Sequence, residues 1–518
     1  MKCFNLVSLC FSGSVIYQKE EKSPPHFLGL LLSFSITYIT LPLFLICSSM
    51  DYNAYCGEQD LDEKLSAFHL YLAFTGEENG YLEPCGCTEK QLGGVTKRYS
   101  LINVLKKKNA NYLALSLGDL SSKVSRQNEI KMEITLMGLD LMGYAAHNIG
   151  ENDISMGLEL LSNLCQTNNI ALLSSNVIAK SSINLNITPY IIKEIETTKK
   201  VYKVCILGIL SPNLIDEGTE EVEVLDPLIT LKTLLKELNG EADLYVLLSH
   251  AEIEESIKLA ETLSELDLVI SGHSIDDPND YITKVKDTYV IPVGEKGKYL
   301  GVFGFLAEDK DWGIKRLREI SHGKKDYYGL TQYYPEENQQ IEHPLETIPL
   351  DDRYENSLEI ERLLEIYQQR LRDEELVKNM YREPHPSGLT FTGNDVCSLC
   401  HNKIFKHWQE TGHAHAYETL LKSGHQDDPE CLSCHTIGMY YISGFETIET
   451  TPGMKDVGCE NCHGPGSDHK ESQTKDYGKV STESCTICHE NEHSPNFRFK
   501  EYWLKIKHPL NTINNESS

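Results

Sequence analysis

Four times between Cys397 and His489 the chain repeats the pentapeptide Cys-x-x-Cys-His. The copies are Cys397-Ser-Leu-Cys400-His401, Cys431-Leu-Ser-Cys434-His435, Cys459-Glu-Asn-Cys462-His463 and Cys485-Thr-Ile-Cys488-His489. Each is the attachment signature of a c-type haem: two thiols one helical turn apart add to the haem vinyl groups, and the adjoining imidazole binds the iron. Zinc also takes Cys-x-x-Cys pairs, but a zinc ribbon has no need for a histidine after every second cysteine. The pattern predicts a C-terminal domain, residues 389–518, that is mostly α-helical and carries four covalently attached c-type haems.

Covalent haem attachment takes place outside the cytoplasm, so the chain is expected to be exported, periplasmic or otherwise extracytoplasmic. The N-terminus agrees. Residues 27–47 carry no charge, a run close to the ~20 residues that cross a bilayer and longer than the usual signal-peptide core of about 7–15. Lys2, Lys19 and Lys22 precede it and the next basic residue is Lys64, an asymmetry that predicts the N-terminus inside and the remainder outside. Residues 1–65 therefore read as a leader whose segment 27–47 is a signal or an anchor, with membrane contact through it where it is not cleaved. Cys47 stands where a lipidated cysteine could, behind a bulky Ile46.

The sixteen cysteines divide between the haem motifs (eight), the leader (Cys3, Cys10 and Cys47) and a remainder of Cys56, Cys85, Cys87, Cys165 and Cys205. Eleven of nineteen histidines fall between His401 and His508, a surplus that supplies second axial ligands for the irons. The formal net charge of −29 argues against nucleic acid or an anionic membrane surface as a partner, because either demands a basic face. Redox proteins are the expected partners.

From about 66 to 325 the pattern is alternating α/β, a layered sheet with helices. Apolar, β-rich runs stand at 68–74, 112–117, 170–173, 201–209, 244–248, 268–270 and 290–293. Their ends carry polar residues: Gly118-Asp119, Ser175-Asn176, Ser249-His250 and Gly272-His273. Ligands bind at the carboxyl ends of strands in open α/β sheets, so Asp, Asn and two His gathered there predict a metal site. Residues 326–388 read as a connector. Within it Ile360, Leu363, Leu364, Tyr367 and Leu371 define an amphipathic helix, too short in heptads for a coiled coil and expected to lay its stripe on one of the two domains.

On Thr75–Gly80, Gly118-Asp119, Asn148–Asp153, Ser249-His250 and Ser271–Ser274, residues 66–310 resemble the metallophosphatase domain of the 5′-nucleotidase family, which binds two divalent metals and hydrolyses phosphate esters. The resemblance makes Asp119 the bridging ligand and His250 and His273 second-site ligands. Other positions depart from the family pattern. Its first Asp-x-His falls on Glu77 and Asn79, its Asn-His-Glu on Glu151, Asn152 and Asp153, and a late ligand on Ile275. One divalent ion (Mn, Zn or Fe) held by Asp119, Glu151, His250 and His273, with Glu77 beside it, is the expectation that survives, since a carboxylate can replace an amide oxygen. With Asn152 no imidazole serves the leaving group, and two-metal hydrolysis needs both ions, so phosphatase activity is expected to be weak or absent. Cys85-Gly-Cys87, following the first motif, admits three readings: a ligand to a soft metal, a redox-active thiol pair, or a disulfide to a cysteine such as Cys56.

On Trp408–Tyr417, Pro429–His435, Val457–Gly466, Ser494–Phe497 and Ile506–His508 together with the first motif, the last 120 or so residues resemble the tetrahaem cytochrome c-554 family. The resemblance implies His401, His435, His463 and His489 as proximal ligands. It offers His413, His469 and His508 as distal ones, opposite His463, His401 and His489 respectively, and leaves the haem at His435 five-coordinate. His407, His415, His425 and His493 remain alternatives. The chain is thus read as an exported tetrahaem electron carrier joined to a degenerate nucleotidase-like domain. The alternative is an enzyme, acting either on a small nitrogen or sulfur compound at the open haem or on phosphoesters at the altered metal site.

Overall fold

A computed structural model describes residues 70–305 and 345–508, apart from 85–91, 108–110, 181–184, 197–200, 217–218, 220, 274–277, 279–281, 475–476, 491–492 and 495. The hydrophobic run 27–47 and both Cys85 and Cys87 lie outside the described residues. Everything described belongs to one compact unit, Cys56–Ser518.

The N-terminal domain is two layered sheets with helices on both outer faces. Its strands are β1 (Leu70–Thr75), β2 (Tyr112–Ser116), β3 (Tyr144–Asn148), β4 (Ala171–Leu173), β5 (Val177–Ala179), β6 (Ile187–Thr188), β7 (Tyr190–Glu196), β8 (Val201–Leu210), β9 (Val222–Val224), β10 (Leu244–His250), β11 (Leu268–Gly272), β12 (Thr283–Val285), β13 (Thr288–Pro292), β14 (Tyr299–Phe305) and β15 (Leu345–Pro349). One sheet runs β15-β14-β1-β2-β3-β4-β6, the other β12-β13-β11-β10-β8-β7. Period-two alternation explains the layering. Leu70, Leu72 and Phe74 of β1 point inward, where they meet Val204, Ile206, Val246 and Leu248 of the second sheet in one buried core. Tyr71 and Ala73 point outward and pack beneath helices α1 (Val95–Lys107) and α2 (Arg126–Met142). Cys205, Leu207, Leu247 and Val269 do the same for the second sheet, under Leu231, Leu235 and Leu259.

Helix α2 begins where Ser125 Oγ accepts the Asn128 N–H at 3.2 Å and stops at Gly143, whose φ of 78° lets its N–H close on Asp140 O. The stretch read as a connector is partly built into this domain. Strand β15 pairs antiparallel with β14 at the sheet edge. Helix α3 (Leu358–Asp373) buries Ile360, Leu363, Tyr367 and Leu371 in the same core as α1 and α2, at roughly 1.5–3 kcal/mol for each fully buried apolar side chain.

The C-terminal domain is short helices and turns around a small apolar cluster of Tyr417, Leu420, Leu432, Met439 and Phe445. The haem motifs lie on or at the ends of α4 (Asn394–Cys400), α5 (Pro429–His435), α6 (Cys459–His463) and α7 (Thr482–Thr486), and α8 (Phe499–Ile506) returns the chain toward them.

Candidate metal and haem centres

Strands β1, β2 and β3 run parallel, as do β8, β10 and β11. The carboxyl ends of β1, β2, β3, β10 and β11 deliver Glu77, Asp119, Glu151, His250 and His273 to one crevice. One ligand atom from each of Glu77, Asp119, His250 and His273 lies within 4.8 Å of all the others. Metal bonds of roughly 2.0–2.2 Å place opposite donors about 4.4 Å apart, so a small inward adjustment closes the shell. Glu151 joins through Oε2, 2.5 Å from His250 Nε2, and Oε1, 3.4 Å from His273 Nδ1. His250 Nδ1 faces Leu117 O at 3.0 Å, which leaves Nε2 for the crevice. Glu77 Oε1 is buried 3.3 Å from His273 Nδ1 and 3.9 Å from His250 Nε2 without a well-aligned hydrogen bond, a setting that a cation would complete.

The backbone is bent to make this arrangement. Asn79, Asp119 and His273 hold φ values of 50°, 53° and 57°, a left-handed conformation that costs energy and gathers at functional sites. A Cβ on Gly150 would stand 2.0 Å from Asp119 Oδ1, and one on Gly118 2.7 Å from His250 Nδ1. Burial lifts the Asp119 carboxyl well above its ordinary range, His250 opposes that, and the carboxylates of Asp153, Glu151 and Glu77 reinforce it. Burial disfavours a charged His250, yet Asp119, Glu151 and Glu77 outweigh it and raise the imidazole to about 10. The cluster therefore holds protons that a divalent cation would displace. The residues fit one such ion.

Asn176, expected at this edge, has its amide engaged by the backbone. Its amide donates to Leu210 O and Leu225 O, and its Oδ1 accepts the Leu210 N–H, so it is spent on loop geometry. The roles of three residues behind the crevice went unread in the sequence. Asp153 accepts the N–H groups of Asp119, Leu120 and Gly150. It also contacts His147 Nε2 at 3.0 Å, while His147 Nδ1 meets Ser116 Oγ at 2.9 Å. A carboxylate three residues past Gly150 was the available signal.

In the C-terminal domain three pairs of imidazoles face each other. Ring centroids are 5.9 Å apart for His401 and His469, 6.2 Å for His413 and His489, and 6.0 Å for His463 and His508. An ion held between two imidazoles by bonds of roughly 2 Å sets the donor nitrogens about 4 Å apart, and the ring centres about 6 Å apart. The pairs thus fit an axially ligated iron. The pairing of His401 with His469 is the one expected. His413 stands opposite His489 rather than His463, and His508 opposite His463 rather than His489, because α8 brings His508 to the third motif. Among the described residues no second ring faces His435, whose Nδ1 donates to Ala416 O at 2.7 Å. His463 Nδ1 likewise donates to Gly478 O, and His489 Nδ1 contacts Ser494 Oγ, which directs each Nε2 to a metal. Of the alternatives, His415 contacts Gln409 O, His425 contacts Glu83 and His493 contacts Glu490.

Residues 396–464 match the family described as cytochrome c554 and c-prime. Cytochrome c-554 of Nitrosomonas europaea is 30% identical over 141 residues, taking in 20% of this chain and 60% of its own length. The snake venom 5′-nucleotidase of Crotalus adamanteus is 25% identical over 284 residues, 48% of this chain and 47% of its own. The chain resembles a fusion of the two. It spans 60% of the cytochrome and about half of the nucleotidase. Among solved structures, the 5′-nucleotidase precursor from Thermus thermophilus aligns over 68% of each chain at 19% identity, with a TM-score of 0.47. The nucleotidase-like half contributes the metal crevice, and the cytochrome half, by its likeness, implies c-type haem.

Proposed function

We propose that this chain is an exported electron carrier with four c-type haems, and that its nucleotidase-like half holds one divalent metal while hydrolysing phosphoesters weakly or not at all. The observation that carries the reading is the set of three facing histidine pairs on a chain with four Cys-x-x-Cys-His motifs. When bound, the haems supply one-electron transfer, with potentials tuned by axial ligands and surroundings. His401 with His469, His413 with His489, and His463 with His508 would each hold an iron on both faces. His435 would hold one on a single face.

In the crevice Glu77, Asp119, His250 and His273 would hold the ion, with Glu151 in reserve. Two imidazoles with carboxylates suit zinc, manganese or iron. Hydrolysis is poorly served, because the position that the nucleotidase resemblance gives to an imidazole is Asn152. Its side chain donates to Asp119 Oδ2 at 2.6 Å.

Export follows from the chemistry of haem attachment and from the charge-free run 27–47, read as a leader or an anchor with the N-terminus inside. No helix among the described residues is long and apolar enough to cross a membrane. Redox proteins are the proposed partners. Haem quantitation and elemental analysis on the matured chain test the reading: four haem irons with a redox-active spectrum are expected, and fewer than four would overturn it.

The unpaired His435 favours one second reading, redox chemistry of a small nitrogen or sulfur compound at that iron. A high-spin signal that responds to hydroxylamine with turnover would establish it. A signal without turnover leaves the carrier.

A further inference from the structure

The nucleotidase-like half, with its helix α3, grips the cytochrome half around the second haem motif, and the contacts fall on the cap of one helix. Helix α5 carries Cys431, Cys434 and His435 and is capped by Asp428, whose Oδ1 accepts the Glu430 N–H at 2.9 Å, with Pro429 at the first position. Asp428 is 5% exposed, and the remaining donors to its carboxylate come from outside the cytochrome half. Gln127 Nε2 donates to Asp428 Oδ1 at 2.8 Å, and Tyr367 OH donates to Oδ2 at 3.1 Å. Gln127 Nε2 also donates to Tyr367 OH at 2.8 Å, and both side chains are buried.

Around this centre Lys131 Nζ pairs with Glu430 Oε2 at 2.5 Å. His425 sits between Glu83 Oε2 at 3.3 Å and Gln368 Nε2 at 2.8 Å. The cluster also reaches the haem-binding position: one ligand atom from each of His425, Asp428 and Cys431 lies within 4.8 Å of the other two. Gln127 is the second residue of α2, the helix that follows the Asp119 loop, and Glu83 follows Glu77 by six residues. The elements that build the crevice thus also hold α5.

We propose that Gln127 and Tyr367 are positioning residues for the haem bound at Cys431, Cys434 and His435, acting through Asp428, so that the nucleotidase-like half sets the state of that haem. The inference rests on the four-haem reading. The physical argument is that two buried donors, Gln127 Nε2 and Tyr367 OH, share the negative charge of the Asp428 carboxylate while they hold it against the start of α5. Asp428 serves as helix cap and as negative charge beside the haem at once. Loss of a donor uncovers that charge and loosens the cap, and a less shielded anion favours the oxidised iron.

The test uses the full matured chain with Tyr367→Phe and Gln127→Ala, comparing haem content, the high-spin electron paramagnetic resonance signal and a spectroelectrochemical titration with wild type. Expected are four haems in each variant, a changed high-spin signal, a lower midpoint potential for that haem, and three low-spin haems that do not move. The double exchange Gln127→Glu with Asp428→Asn keeps an acid–amide pair across the junction and is expected to return the signal toward wild type. Tyr367→Phe removes a single hydroxyl and keeps the test open if Gln127→Ala does not mature. Variants whose high-spin haem matches wild type in signal and potential overturn the inference. A wild-type chain with four haems but no high-spin signal overturns the inference while leaving the four-haem reading in place, and fewer than four haems overturns the reading beneath it.

Discussion

Asn152 closes over Asp119: its backbone N–H donates to Oδ1 at 2.9 Å and its side-chain amide to Oδ2 at 2.6 Å. Both oxygens of the carboxylate to which the nucleotidase resemblance gives the bridging role are thereby engaged by one neighbouring residue. An amide at this position cannot deliver a proton to a leaving group, and it competes with a cation for the ligand. The same contact is the structural ground for proposing that the crevice keeps metal-site geometry with little of a nucleotidase's chemistry.

Asn152→His is therefore expected to raise manganese-dependent hydrolysis of a generic phosphodiester. Positioned acid–base groups contribute roughly 10²–10⁴-fold, and with only one metal the gain should fall at or below the bottom of that range. An unchanged rate in a variant that still binds manganese would show that the missing imidazole does not limit hydrolysis.

Metal binding itself has a sharper signature. Ligand in hundredfold excess over its dissociation constant stabilises a folded protein by about 2.7 kcal/mol, so manganese should raise the thermal midpoint of the wild-type chain. His250→Ala removes an imidazole within 3.6 Å of Asp119 Oδ2 and 3.9 Å of Glu77 Oε1. It is expected to abolish both the bound ion and the shift. A stoichiometric ion retained in His250→Ala would place the metal elsewhere.

Asp267 predicts a pH dependence away from either site. Burial raises its carboxyl from 3.8 to about 6, against the Tyr245 N–H that it accepts at 2.8 Å. The folded chain then holds a proton that the unfolded chain releases, so this group's contribution falls as pH rises from about 4 to about 6 and stays unfavourable above. At about 1.4 kcal/mol per unit the cost is at most ~3 kcal/mol. Asp267→Asn keeps an acceptor for Tyr245 and is expected to raise the thermal midpoint at pH 7 but not at pH 4. Equal shifts at both pH values would assign the effect to packing instead.

Much of the first domain was legible because its strands are apolar runs with polar ends. Strands β2, β8, β10 and β11 stand close to the runs at 112–117, 201–209, 244–248 and 268–270. Strand β3, Tyr144-Ala-Ala-His-Asn148, has little β propensity of its own and is held by β2 and β4 on either side. Strand β15 was hidden in a proline-rich stretch, since its pairing with β14 closes across a long insertion. The crevice ligands were visible as strand-end residues. The Asp153–His147–Ser116 chain behind them was not, because buried hydrogen bonding leaves no periodicity to read. At the domain junction, Gln127 and Tyr367 looked like ordinary helical positions until Asp428 was brought against them.

Axial pairing was the least legible feature, since Cys-x-x-Cys-His fixes one ligand per haem and says nothing of which distant histidine arrives opposite. The geometry makes this testable in pairs. His413 faces His489 and His508 faces His463, so His413→Met should perturb the haem of the fourth motif and His508→Met that of the third. Replacing an imidazole by a thioether raises a haem's potential. Each variant is therefore expected to move one wave of the redox titration upward and to change one low-spin spectrum. The two variants should move different waves, and the high-spin signal assigned to His435 should stay in both. If His413→Met and His463→Gly disturbed the same haem while His508→Met acted on the fourth, the chain would pair as its sequence resemblance implied. The return of α8 to the third motif would then not describe the haem-bound protein.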